Sequence, residues 1–145
     1  MGAWGSGVFE NDSALDWLDE VIESNSLDKI LQPLKRVINS RSRTILGIFH
    51  TKNNYLEEPL GSEALAASEI IAALLKCPGS NISEELNDWV EKSSLKVNIN
   101  TAALAAEAVK IVKADSELKE LWEESDSYSE WLDVVNDLEK RLLGM

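Results

Sequence analysis

Histidine and cysteine, which carry much of enzyme chemistry, are nearly missing from this 145-residue chain, which has one of each. A lone Cys77 cannot close an internal disulfide, so the sequence reads as a cytoplasmic protein whose folding does not depend on oxidation. Any Ser-His-Asp or Cys-His set would have to use His50 or Cys77. His50 sits in a stretch of ambiguous pattern and Cys77 closes a helical run just before a proline, so no catalytic residue is assigned. Zinc and its neighbours need several His or Cys ligands, which excludes the usual transition-metal sites. No apolar run approaches the ~20 residues that span a bilayer. The N-terminus lacks the basic flank and apolar core of a signal peptide. No lysine or arginine precedes Lys29. Met1-Gly2-Ala3-Trp4-Gly5-Ser6 matches the loose N-myristoylation pattern, but the polybasic second signal for stable anchoring is missing, so lipidation is not expected. Fixed-period repeats and low-complexity linkers are absent too.

What the chain does have is negative charge. Twenty-six acids against fourteen bases leave a net charge of −12, in a composition otherwise ordinary at 44% apolar and 28% charged residues. That charge disfavours nucleic acid and anionic membranes and makes a basic protein the natural partner. It is unevenly spread. From Lys29 to Tyr55 there are six bases (Lys29, Lys35, Arg36, Arg41, Arg43, Lys52) and no acid, whereas residues 115–145 hold ten acids and three bases. Pairing of the basic middle with the acidic ends within the molecule is the favoured account, and a two-sided binding surface is the alternative.

Apolar residues recur mostly at three and four. A first helix, capped by Asn11 or Asp12 and running to about Ser24, sets Ala14, Trp17, Leu18, Val21 and Ile22 against Asp16, Asp19, Glu20 and Glu23. Ser26 caps a second with Leu27, Ile30, Leu31, Leu34 and Val37; Pro33 within it predicts a kink or a restart. Ile45, Leu46, Ile48 and Phe49 are too short a run to decide between helix and strand. Residues 62–76, "SEALAASEIIAALLK", are apolar nearly all round, the mark of a central helix surrounded by others. Pro78-Gly79 ends it. Ser83 caps a fourth helix, a fifth spans about Thr101 to Ala114, and Ser116 starts a short one. Ser127 and Glu130 form a capping-box pair ahead of the last. The expectation is a single all-α domain over 1–145: about six helices bundled around the 62–76 helix.

Three stretches invite functional readings. "ENDSALD" gathers Glu10, Asp12 and Asp16, but it lacks the alternating ligands and central glycine of a calcium loop, and acids suit a helix start in any case. "GAWGSG" is neither a dinucleotide nor a Walker glycine pattern, and no lysine is near. Residues 1–10 are instead expected to form a strap lying tight on the domain, with Trp4 and Phe9 as anchors. Glu69 lies inside "ALAASEIIAALL", where a lone carboxylate must be satisfied by glycine-rich N-terminal amides, an indole N–H or an arginine. A polar clamp between the central helix and the N-terminal segment is favoured over a catalytic carboxylate of raised pKa.

"MGAWGSGVFENDSALDWL", "YLEEPLGSEALAASEIIAALL" and "ELWEESDSYSEWLDVVNDLEKRL" resemble the small, mostly bacterial domain-of-unknown-function family 4259, at the start, centre and end of the chain. The opening W-G-x-G-x-F-E-N-D-x-A-x-D-W is the most distinctive part; Arg41 to Asn54 does not match. The resemblance implies a bacterial cytoplasmic helical domain and supplies no reaction. Its motif positions fall on Trp4, Gly5, Gly7, Phe9, Glu10, Asn11, Asp12, Asp16, Trp17, Tyr55, Glu57, Ser62, Glu63 and Glu69. The polar ones among them suit a small shared site or a network that locks the N-terminus.

The resulting expectation is a non-enzymatic binding module, of the immunity or antitoxin kind, with no cofactor or metal. Its surface is Asp16, Asp19, Glu20 and Glu23, and its partner a basic protein. A small enzyme or ligand-binding protein is the rival, with a carboxylate pocket of Glu10, Asp12, Glu63 and Glu69 and a dependence on magnesium or calcium.

Overall fold

The computed structural model describes residues 2–42, 55–80 and 82–144. The undecided run through Ile45, Leu46, Ile48 and Phe49, together with His50 and the bases Arg43 and Lys52, lies outside the described residues. Within them the chain is all-α, with seven helices: α1 (Asp12–Ser24), α2 (Leu27–Ser42), α3 (Glu58–Leu74), α4 (Glu84–Lys92), α5 (Ile99–Ala114), α6 (Glu117–Glu123) and α7 (Tyr128–Leu142). Only an isolated bridge between Ala3 and Asn11 has β character among them. None is long and apolar enough to cross a membrane.

The all-round apolar helix is the hub. Each of the other six helices packs on α3, and α5 forms a second centre against α2, α6 and α7. Ala64, Ala66, Ala67 and Ala72 are fully enclosed, and their small side chains let neighbouring helices come close. Leu65, Ile70 and Ile71 supply the bulk; burying each such side chain contributes roughly 1.5–3 kcal/mol. From α1 come Ala14, Trp17, Leu18 and Val21, the inward set its periodicity defines. Trp122 and Trp131 stack with ring centroids 6.4 Å apart, joining α6 to α7.

Several boundaries differ from expectation. The central helix starts at Glu58, four residues before Ser62, because Pro59 occupies its first turn, where a missing N–H is no loss. Gly61 is therefore inside the helix, and a Cβ there would meet Leu118 of α6 at 3.3 Å. Pro33 causes no restart: α2 is one helix, with Ile30, Leu34 and Val37 fully buried on one face. α5 starts at Ile99, since Asn98 is the cap and forms a capping box with Thr101. The expected box at Ser127 and Glu130 does not form. Ser127 has φ −109° and ψ 21°, outside the extended region that aims a capping hydroxyl. Its amide instead donates to the Ser125 hydroxyl at 3.1 Å, which in turn donates to the Trp122 carbonyl at 2.8 Å.

Candidate functional site

Residues 2–11 double back on themselves ahead of α1. The Trp4 amide donates to the Glu10 carbonyl at 3.0 Å and the Asp12 amide to the Gly2 carbonyl at 3.1 Å. The Gly7 amide donates to Glu10 Oε1 at 3.0 Å, and a Cβ on Gly7 would lie 2.6 Å from that oxygen, so a side chain there would push the exposed Glu10 carboxylate aside. Ala3, Val8 and Phe9 are the apolar contacts with the core. Trp4 is not an anchor: 59% of it is exposed, and the segment is held by backbone bonds and the smaller side chains. Asn11 is buried, accepting the Ala14 amide at 2.8 Å as the N-cap of α1.

Glu69 is 4% exposed and satisfied by Arg141 of α7. Arg141 Nη1 donates to Glu69 Oε2 at 2.8 Å and Nη2 to Oε1 at 2.9 Å, a bidentate pair. The Gly79 amide adds a bond to Oε2 at 2.9 Å. Neither the N-terminal glycine amides nor an indole contributes, so the carboxylate ties α3 to α7 and to the turn after α3, and does not clamp the N-terminal strap. Arg141 also donates to the Cys77 carbonyl at 3.0 Å and, through Nε, to Asp137 at 2.8 Å. The carboxylates of Glu69, foremost, and Asp137 raise the guanidinium pKa against the opposing effect of burial. A Cβ on Gly79 would meet Glu69 Oε1 at 2.8 Å and Arg141 Nη2 at 3.2 Å, which reserves the position for glycine.

This cluster floors a cleft of about 410 Å³. Gly7, Val8, Phe9 and Glu10 form one wall, Asp133, Val134, Asp137 and Arg141 of α7 another, and Gly79, Ser80 and Ile82 the turn between them. Of the four acids proposed to share a pocket, only Glu10 and Glu69 line it. Asp12 is exposed and sits beside Gly2. Glu63 faces the opposite charges of Arg36 and Lys29 and the like charge of Glu20; its partial burial is the largest effect and lifts its pKa above the usual 4.5. Among the described residues, no three His, Cys, Asp or Glu come together as a cation site.

Tyr55 and Glu57 belong to a different junction. The Tyr55 hydroxyl donates to Glu120 at 2.6 Å, and the cost of giving up that proton beside the carboxylate pushes its pKa to about 12. Glu57 is exposed and precedes α3 without a capping bond. The residues that build this junction, Glu58 and Glu117, went unnoticed in the sequence. Glu58 accepts from the hydroxyls of Ser13 at 3.2 Å and Ser62 at 2.5 Å, while its amide donates to Glu117 at 2.6 Å. The four-residue interval from Glu58 to Ser62 was the available signal, visible only once the helix is known to start at Glu58.

On α1, Asp16, Asp19, Glu20 and Glu23 are all exposed. Glu20 pairs with Lys29 at 3.1 Å. Asp16, Asp19 and Glu23 have no hydrogen-bond or ion-pair partner among the described residues. Pairing of the basic middle with acidic regions is thus present among the described residues: besides Lys29, Arg41 reaches Asp115 at 3.4 Å.

The family model described as a domain of unknown function (DUF4259) matches residues 2–134, and the chain belongs to that family. No curated protein and no solved structure matches it.

Proposed function

We propose that this chain is a non-enzymatic binding protein that engages a basic protein partner through the acidic face of α1, acting in a bacterial cytoplasm as an inhibitor of the immunity or antitoxin kind. The observation that carries the reading is the acidic face itself, on which Asp16, Asp19 and Glu23 have no hydrogen-bond or ion-pair partner among the described residues and only Glu20 is paired, with Lys29. Asp16 and Glu20, and likewise Asp19 and Glu23, are four apart, and each like-charge pair costs a few tenths of a kcal/mol, roughly 0.2–0.5. Glu23 also stands in the last turn, at the negative end of the helix dipole, where α1 has no basic residue to offset it. The free protein carries that cost, and a cationic partner would relieve it. With a net charge of −12, attraction at long range would speed the encounter and select against acidic competitors.

The buried carboxylate argues against the rival enzyme. Glu69 has both oxygens engaged by Arg141 and Gly79, and Asp12 and Glu63 lie outside its cleft. The test is affinity capture from native lysate with the wild-type chain, a D16N/D19N/E20Q/E23Q variant and an acidic control of similar size. Enrichment of one basic protein by the wild type alone, lost at raised salt, is the expected result. Identical captures by wild type and variant would overturn the reading.

A further inference from the structure

The cleft between the N-terminal segment and α7 is a second acidic feature, set apart from α1. We infer that it seats one basic side chain, arginine or lysine, of the protein partner; this rests on the binding-protein reading above and names where the partner is anchored. Four carboxylates line the cleft (Glu10, Glu69, Asp133 and Asp137) against a single guanidinium, Arg141. That guanidinium has little left to offer an anion. Of the five N–H donors of an arginine, Arg141 has committed four, to Asp137, to Cys77 and twice to Glu69.

Glu69 is likewise engaged at both oxygens, by Arg141 and the Gly79 amide, but the other three carboxylates have acceptors to spare. Asp133 has no partner among the described residues. Asp137 uses one oxygen, on Arg141 Nε, and Glu10 uses one, on the Gly7 amide. Between these acids the walls are apolar: Val8 and Phe9 on one side, Ile82 and Val134 on the other. A charged head on an alkyl stem matches both features, since lysine and arginine bury the stem and keep the head among acceptors. Phe9 adds an aromatic side chain to the lining, a residue type against which guanidinium groups pack favourably. At about 410 Å³ the cleft is within the size range of small-ligand sites, ~300–1,000 Å³.

The test is a titration of the ¹⁵N-labelled chain with N-acetyl-hexaarginine amide at physiological salt, followed by amide chemical shifts. Saturable shifts at Val8, Phe9 and Val134 are expected. Affinity should fall roughly tenfold in Asp133→Lys and roughly threefold in Asp133→Asn, because the rim charge is reversed or removed. D19N/E23Q should leave the cleft shifts in place. Shifts confined to α1, with the cleft silent, would overturn this inference and leave the α1 reading standing; shifts at neither face would sink both. Spermidine moving the same amides as tightly as the peptide would make the occupant a free polyamine and overturn the side-chain assignment.

Discussion

A carboxylate among alanines and isoleucines is stable only with its charge matched, and here one guanidinium and one amide do the matching. Removing Arg141 would leave the buried Glu69 carboxyl without its counter-charge and with the Gly79 amide as its remaining partner. Arg141→Met is expected to lower stability by about 3–5 kcal/mol, read as a drop in urea midpoint, while Glu69→Leu/Arg141→Met recovers most of the loss. A double variant as unstable as the single one would show that the pair does more than neutralise itself. Glu63 behaves oppositely, because partial burial raises its pKa and so favours its protonated form. Between the ordinary and the raised value the folded chain holds a proton that the unfolded chain has lost, so stability falls as pH rises through that window. Glu63→Gln should therefore melt above wild type at pH 7, with the gap closing as pH drops below the usual 4.5. A gap independent of pH would contradict this.

At the level of elements, caps and periodicity do unequal work. Asn11 closes α1 through its side chain, so Asn11→Ala should cost about 1–2 kcal/mol in chemical denaturation. Ser127 makes no capping bond, and Ser127→Ala should stay within about 0.5 kcal/mol; equal losses at the two sites would refute the distinction. The helices were legible because their apolar stripes are long and regular, as in Ala14, Trp17, Leu18 and Val21. Their ends were less so. Proline in the first turn of α3 and the asparagine at the start of α5 moved the boundaries, and Ser127 failed as a cap for a backbone reason that no residue type reveals. Arginine was among the groups expected to satisfy Glu69, but which one could not be read. Arg141 is 72 residues away, and its place near a helix end explained it well enough alone. The acids of the proposed pocket share motif words but point to different neighbours, because burial direction depends on packing that one-dimensional spacing does not contain.

On the scale of the whole molecule, the interior charge is settled and the surface charge is not. Glu69 and Arg141 neutralise each other within the fold, whereas among the described residues Asp16, Asp19 and Glu23 of α1 and Asp133 at the rim of the cleft have no cationic partner. Such a molecule would be built for electrostatic encounter, and its association should be governed by charge at long range. The most direct measurement is the association rate constant with the captured basic partner at about 20 and 200 mM salt, for wild type and for D16N/D19N/E20Q/E23Q. The wild-type rate should fall about tenfold or more across that range, with the variant slow and nearly flat. Equal rates for the two proteins at both salt concentrations would contradict the account.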